Sequence, residues 1–162
     1  MPELDTSIHK TIMEIDEPER KVLLQELEAL IASLGDSNSK ARYVELRDAA
    51  TAGSVSGHLV TDLEHLLVMS IQSGHVRRRE SPQSEQILRR LFSRTPRGKI
   101  VNQSVTDTNK ALAALREQTI DSCTVTTTAP GAYRMHFDTD RCQITLEFTQ
   151  DLVTISGVNI GI

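Results

Sequence analysis

The sequence contains very few aromatic residues. They account for 3% of its 162 residues, with no tryptophan, two tyrosines and three phenylalanines. Proteins that bind single-stranded nucleic acids or sugars by ring stacking need several aromatic side chains on one surface. The composition therefore argues against a stacking surface for either class of ligand.

Cysteine is scarce as well. Cys123 and Cys142 are the only two in the chain, and they lack the CxxC spacing of metal or redox pairs. Two cysteines are also too few for a disulfide scaffold. We expect two buried thiols that form no disulfide, because the strands predicted to carry them are separated by a third strand.

Long apolar runs are missing too. A membrane-spanning helix needs about 20 apolar residues in succession, and no segment approaches that length. Residues 1–5 include two acidic side chains where a secretory signal would be basic. The expectation is a cytoplasmic protein that does not contact membranes. Hydrophobic residues nevertheless make up 38% of the chain, which is enough to bury a core.

Positive charge is concentrated in residues 77–99, which we term the basic segment. It holds eight basic residues against two acidic ones, a net charge of +6, although the whole chain has a net charge of −4. The basic residues are Arg77, Arg78, Arg79, Arg89, Arg90, Arg94, Arg97 and Lys99. Two interpretations are open: the segment contacts anionic phosphates, or it packs on the acidic N-terminal part of the chain.

Apolar residues recur at helical intervals of three and four through the first 119 residues. The spacing predicts helices from Leu4 to about residue 16, over residues 18–34, 40–51, 55–73 and 96–119, and one that begins at Ser81-Pro82 and carries Ile87, Leu88, Leu91 and Phe92. Residues 74–81 are predicted to be a linker or an exposed loop. The apolar stripe of helix 18–34 spans barely two heptads, so we expect it to form core rather than a coiled coil.

From residue 121 the apolar period changes to two, which predicts four strands joined by short turns. Neighbouring strands should pair as an antiparallel meander with one apolar face, covered by helix 96–119. The expected common core consists of Leu112, Leu115, Val125, Met135, Ile144, Leu146 and Phe148. Gly157 interrupts the alternation as a β-bulge does, so the last strand is expected to bend there or to meet a partner chain.

The predicted fold class is α+β, an N-terminal helical bundle followed by a long helix packed on a four-stranded antiparallel meander. The chain divides into amphipathic helices over residues 1–76, a basic loop and helix over 77–95, and the long helix with its meander over 96–162. These parts form separate domains or one continuous fold. An architecture of this kind does not by itself identify a function.

Few motifs in the sequence point to catalysis or to a cofactor. His58, Asp62 and His65 share one helix face, but the chain offers no second set of Glu and His ligands, so we expect no metal site. Cys123 and Cys142 lie in the apolar phase of their strands whereas His136 faces the other way, which argues against a thiol–imidazole pair. No glycine-rich phosphate loop occurs. The sequence thus predicts no catalytic residue and no cofactor.

The function predicted from these features is a non-catalytic role in protein interaction or self-assembly, through the amphipathic helices and an exposed sheet edge. The partner is expected to be another protein or a second copy, as in a homo-oligomer. The alternative is a nucleic-acid-associated regulator that uses the basic segment. Against this alternative stand the acidic isoelectric point of about 5.7 and the lack of base-reading side chains beyond Asn102 and Gln103.

Overall fold

The computed structural model describes residues 12–79 and 81–161. They fall into two compact units that divide between Arg97 and Gly98, here termed the helical unit and the sheet unit. The helices are α1 (Glu17–Ser33), α2 (Ser37–Ala52), α3 (Val60–Ser73), α4 (His75–Arg79), α5 (Pro82–Arg94) and α6 (Pro96–Leu112). The strands are β1 (Met13–Glu14), β2 (Ser54–Val55), β3 (Ile120–Ala129), β4 (Ala132–Thr139), β5 (Cys142–Phe148) and β6 (Val153–Ile160). The predicted α+β class is confirmed.

Three helices begin at side chains that accept hydrogen bonds from the free N–H groups of the first turn. At α1, the Glu19 N–H donates to Asp16 Oδ1 (2.9 Å) and the Asp16 N–H donates to Glu19 Oε2 (3.1 Å), which forms a capping box. Asp36 caps α2 and Ser81 caps α5. These caps place the starts of the three helices close to the predicted positions.

The first described residues form a strand instead of the predicted helix. β1 pairs antiparallel with β2, and the Ile15 N–H donates to the Gly53 carbonyl (2.9 Å). An extended backbone points alternate side chains to the same side, so Met13 and Ile15 are buried while Glu14 is exposed. The remainder of that predicted helix, residues 4–11, lies outside the described residues.

Two further predicted boundaries differ from the structure. Predicted helix 55–73 begins later, at Val60, because β2 and a short 3₁₀ turn take up its first residues. The predicted loop 74–81 is wrong in part, since it contains α4. The side chain of Val76 is 1% exposed and holds α4 against the core. Gly74 ends α3 in a left-handed conformation with φ of 63°, which glycine adopts without strain.

Among the described residues of the helical unit, sixteen apolar ones are buried in one core. They are Met13, Ile15, Val22, Leu23, Leu27, Leu46, Ala50, Val55, Leu59, Val60, Leu63, Leu66, Leu67, Val76, Leu88 and Leu91. The stripe of α1 is therefore part of a core, as its short heptad pattern predicted.

The sheet unit is an antiparallel meander in the order β3-β4-β5-β6, as predicted. Directly opposed residues lie on the same face of a sheet. They form two apolar rows across all four strands, Val125–Met135–Leu146–Ile155 and Cys123–Phe137–Ile144–Val158. Thr145 faces Gly157 while Leu146 faces Ile155, so Ser156 is the extra residue of a bulge beside the predicted glycine.

The core of the sheet unit is small. Among the described residues of this unit, the buried apolar ones are Cys142, Ile144 and Leu146, all on β5. Leu112 and Leu115 pack against them, so the predicted helical cover is present. Two predictions are wrong here, because Val125 is 58% exposed and Cys123 is also exposed. Both lie on the apolar face, but on an edge strand that the helix leaves uncovered.

α6 ends at Leu112, short of the predicted residue 119. The chain tightens there into a 3₁₀ turn, in which the Arg116 N–H donates to the Ala113 carbonyl (3.2 Å). Glu117 then adopts a left-handed backbone with φ of 62°, which a helix cannot contain. Within the described parts of the chain, no helix combines the length and the apolar character that crossing a membrane requires.

Candidate functional sites

Two arginines of the basic segment bind acidic side chains at the start of α1. Arg90 Nη2 lies 2.8 Å from Asp16 Oδ2, and Arg94 Nη2 lies 2.6 Å from Glu19 Oε2. Glu19 is 1% exposed and also accepts from Arg90 Nε (3.3 Å). These ion pairs join α5 to α1, which supports the interpretation that the basic segment packs on acidic residues earlier in the chain.

Other arginines of the basic segment have acceptors elsewhere. The Arg89 side chain binds Glu85 (2.7 Å), and the Arg78 side chain donates to the Ser73 carbonyl (2.9 Å). The backbone N–H of Arg97 donates to Glu64 Oε1 (2.8 Å). Arg77, Arg79 and Lys99 are exposed, and none of the three makes an ion pair with a residue in the described ranges. They are the side chains of this segment that remain open to a partner.

His58 and Asp62, weighed in the sequence as metal ligands, are each bound by another side chain. His58 Nε2 lies 2.8 Å from Glu45 Oε1, and Arg42 Nη2 donates to Asp62 Oδ2 (2.8 Å). Burial raises the pKa of the Tyr43 phenol, and the Asp62 carboxylate raises it further. In the part of the chain that the structure describes, no three His, Cys, Asp or Glu side chains are grouped as a metal site.

The cysteines and His136 lie on opposite faces of the sheet. Both thiols are free, and Cys142 is buried, with its Sγ 3.3 Å from Gln118 Oε1. His136 Nδ1 lies 2.8 Å from Thr145 Oγ1 on the face that points away from the core. The alternation of side chains along a strand predicted this separation, which holds the His136 imidazole away from both thiols.

The apolar face of the sheet is exposed at both edges. Val125 on β3 is 58% exposed, and Val158 and Ile160 on β6 are 45% and 75% exposed. Val125 stands in the same row as the buried Leu146, and Val158 in the same row as the buried Ile144. The sequence predicted which side chains share this face, but it carried no signal of how far one helix would cover them.

A buried polar cluster links α1, α3 and α4. Glu26 is 4% exposed, and its Oε2 accepts from the Ser70 hydroxyl (2.7 Å) and lies 2.7 Å from His75 Nε2. His75 Nδ1 in turn contacts the Ser73 hydroxyl. The Ser73 hydroxyl also donates to the Ser70 carbonyl (3.1 Å), so it connects the imidazole to the end of α3. Because Glu26 and His75 are 49 residues apart, no local pattern could have indicated this cluster.

An open cavity of about 280 Å³ lies beside this polar cluster. Its lining includes polar groups from Glu26, Ser73 and His75 and apolar groups from Leu30, Leu66 and Met69. A carboxylate in such a setting offers a strong acceptor next to apolar surface. Small-molecule sites usually combine these two features.

Ser73, His75 and Glu26 have the connectivity of a nucleophile, a base and the acid that orients the base. Acyl transfer also requires N–H donors for the oxyanion that develops on the substrate. Ser73 is the last residue of α3, and the N–H of Gly74 already donates to the Ile71 carbonyl (3.2 Å). The arrangement therefore supports ligand binding better than nucleophilic catalysis.

Comparison with known proteins gives no functional lead. No family model matches the chain, no curated protein matches its sequence, and no solved structure matches it. The function has to be inferred from the surfaces and the sites described above.

Proposed function

We propose that the protein is a non-catalytic protein-interaction protein, and that it self-associates with a second copy through the exposed edge of its sheet. The proposal rests on the exposure of β3, in which all ten residues are exposed. An edge strand presents unpaired backbone N–H and C=O groups, which another strand can pair with. The apolar stripes of the helices are buried in their own core, so the proposal depends on the sheet.

The central part of β3, residues 122–127, lacks the features with which edge strands usually resist pairing, and the register shifts of this strand lie on either side of it. It pairs regularly with β4 from Ser122 to Thr127, and this stretch contains no charged residue and no proline. β6, the other edge strand, contains the bulge beside Gly157, and a bulge bends and twists a strand away from flat pairing. Of the two edges, β3 is therefore the less protected.

A second copy of β3 is the partner that best fits this edge. Two copies related by a two-fold axis present the same strand to each other in antiparallel orientation. Because residues 122–127 carry no charge, such pairing brings no like charges together. It also places the exposed Val125 of both copies on one continuous apolar face, and removing such surface from water contributes about 25 cal/mol per Å².

Sedimentation velocity over a range of protein concentrations tests the proposal. We expect the wild type to sediment as a dimer, with twice the 18.0 kDa mass of one chain. Val125→Lys should shift it towards the monomer, because two cations would meet at the shared edge. Val158→Lys is the matched control, since Val158 is exposed on the same apolar face but on β6. A wild type that is monomeric throughout, or a dimer that only Val158→Lys dissociates, would contradict the proposal.

The alternative function, nucleic-acid binding through the basic segment, has less support. Arg90 and Arg94 already bind carboxylates, so Arg77, Arg79 and Lys99 are the cations left for phosphate groups in the described ranges. Affinity for duplex DNA or RNA that falls steeply with salt, and that is lost when Arg77 and Arg79 are both replaced by Gln, would favour this alternative.

A further inference from the structure

Two buried glutamates on α1 have different kinds of partners. Glu19 accepts from two arginine guanidinium groups. Glu26, which is nearly as buried, contacts Ser70 and His75 and forms no ion pair with a lysine or arginine in the described ranges. A buried carboxylate is costly unless a cation or several hydrogen bonds compensate its charge. The two arginines that contact Glu19 thus have no counterpart among the described contacts of Glu26, which are a hydroxyl and an imidazole.

One oxygen of the Glu26 carboxylate is left for a ligand. Both of its hydrogen-bonding partners lie at Oε2, whereas Oε1 accepts no hydrogen bond from any described residue. Glu26 also lines the cavity of about 280 Å³. Glu26 is the acidic residue of the cavity lining, and its carboxylate is the negative group that a cationic ligand would meet.

We propose that this cavity binds a small aliphatic ammonium ion. An ammonium group has three N–H donors and no acceptor, so it can donate to Glu26 Oε1 and to the Ser73 hydroxyl. The alkyl chain of the ligand then contacts Leu30 and Met69, which supply apolar lining. An anion would be repelled by Glu26, and a neutral apolar ligand would leave Oε1 without a donor.

The size of the cavity limits the ligand. Binding pockets usually have volumes of about 300–1,000 Å³, and the cavity beside Glu26 is slightly smaller, at about 280 Å³. A short alkyl chain with one ammonium group fits within this volume. A short chain that ends in a primary ammonium group occurs in free alkylamines and in the lysine side chain, and both offer the same chemistry to Glu26.

Titration of the isotope-labelled protein with n-butylammonium chloride, followed by NMR, tests the proposal. We expect saturable shifts of the backbone amides around Glu26, Ser73 and His75. Butanol and butyrate, which lack the cation, should not produce them. Glu26→Gln should weaken binding at least about tenfold, because a charge-assisted hydrogen bond becomes a neutral one. Glu28→Gln is the matched control, since Glu28 is exposed on the same helix, and it should bind as the wild type does.

A second variant keeps the test decisive if Glu26→Gln does not fold. Met69 is 43% exposed, so Met69→Ala should leave the fold intact while it removes apolar lining from the cavity. It should weaken the binding of butylammonium more than that of methylammonium, which has no alkyl chain to contact this surface. Absence of saturable shifts in the wild type, equal binding of butanol, or unchanged binding in both variants would overturn the proposal.

A blocked tripeptide with one central lysine distinguishes the two sources of the ammonium group. If the peptide binds as butylammonium does, the site accepts a lysine side chain of a partner. If butylammonium binds and the peptide does not, the ligand is a free amine. Either result supports the ammonium site, provided that Glu26→Gln weakens the observed binding at least about tenfold. The outcome is independent of self-association, because Val125→Lys should leave amine binding unchanged.

Discussion

The helical unit and the sheet unit bury apolar side chains to very different extents. Within the parts of the two units that the structure describes, the core of the helical unit has sixteen buried apolar residues and that of the sheet unit has three. Both units have regular apolar patterns in their sequence, so the pattern does not cause the difference. In the helical unit the stripes of several helices face one another, whereas in the sheet unit four strands present one face to a single helix. The apolar periodicity of a helix or strand therefore identifies which side chains lie on the same face. Whether those side chains are buried depends on what packs over that face.

The dimensions of helices and sheets explain the contrast. Strands in a sheet are spaced about 4.8 Å apart, so the two edge strands of a four-stranded sheet lie about 14 Å from each other. A helix with its side chains is about 10–12 Å wide. One helix therefore cannot cover all four strands. Ser104 and Thr108 of α6 donate to the Val153 carbonyl on β6, and the buried apolar residues of the described sheet unit all lie on the neighbouring strand β5. The exposed edge strand on the other side of the sheet, β3, is the surface that the proposed dimer would use.

The largest expected effects test this contrast directly, by truncating apolar side chains in both units. Leu23→Ala and Leu146→Ala should each lower the free energy of unfolding by about 2–5 kcal/mol, because both side chains are buried and their loss leaves a cavity. Val125→Ala should change it by less than about 0.5 kcal/mol, although Val125 stands in the same row as Leu146. Urea unfolding in dilute solution measures all three. Comparable losses for Val125→Ala and Leu146→Ala would mean that the sheet face is covered throughout.

A smaller effect is expected from Glu19→Gln in the helical unit. This change removes the charge that Arg90 and Arg94 contact and keeps the size of the side chain. Because Glu19 is buried while the two arginine side chains are 56% and 44% exposed, we expect a loss of about 1–3 kcal/mol. Thermal unfolding followed by NMR signals of each unit measures it, with the exposed Glu28→Gln as control. An equal loss in both variants would show that the ion pairs do not stabilise the unit.

The features that the sequence predicted are those encoded by neighbouring residues. Ser81 and Pro82 mark the start of α5, because a cap and its first turn lie within four residues. The meander was predictable for the same reason, since its strands are joined by short turns and alternate with period two. Gly157 marked the bulge because it sits where that alternation slips.

The features that the sequence did not predict depend on residues far apart in the chain. β1 is a strand because its partner β2 lies some 40 residues later, and nothing near Met13 signals that pairing. The polar cluster around Glu26 depends on His75 in the same way. Val125 and Cys123 were assigned to the correct face, but their exposure follows from the width of the helical cover, which no pattern in the strand contains.

The smallest expected effect concerns Asp36, which caps α2. The backbone N–H of Ser39 donates to Asp36 Oδ2 (2.8 Å), and this bond, followed by the Ser39 hydroxyl, holds the pKa of the Asp36 carboxyl below its usual value. Because the folded pKa is lower than the unfolded one, the cap contributes its full stability above about pH 4. That contribution is lost as the pH falls through the folded pKa.

Amide hydrogen exchange in the first turn of α2 measures the contribution of this cap. Asp36→Ala should lower the protection of these amides near neutral pH, and the difference from the wild type should shrink as the pH falls through the lowered folded pKa of Asp36, because the carboxylate is then protonated. Asp48→Ala replaces an exposed aspartate later in the same helix and should leave the first turn unchanged. Protection in β4 and β5 should be unaffected by either variant, because the cap acts locally within the helical unit.

A loss of protection that persists at low pH would show that the carboxylate charge is not its cause. An equal loss in Asp48→Ala would show that negative charge anywhere on α2 has the same effect, and that the hydrogen bond to Ser39 is not needed.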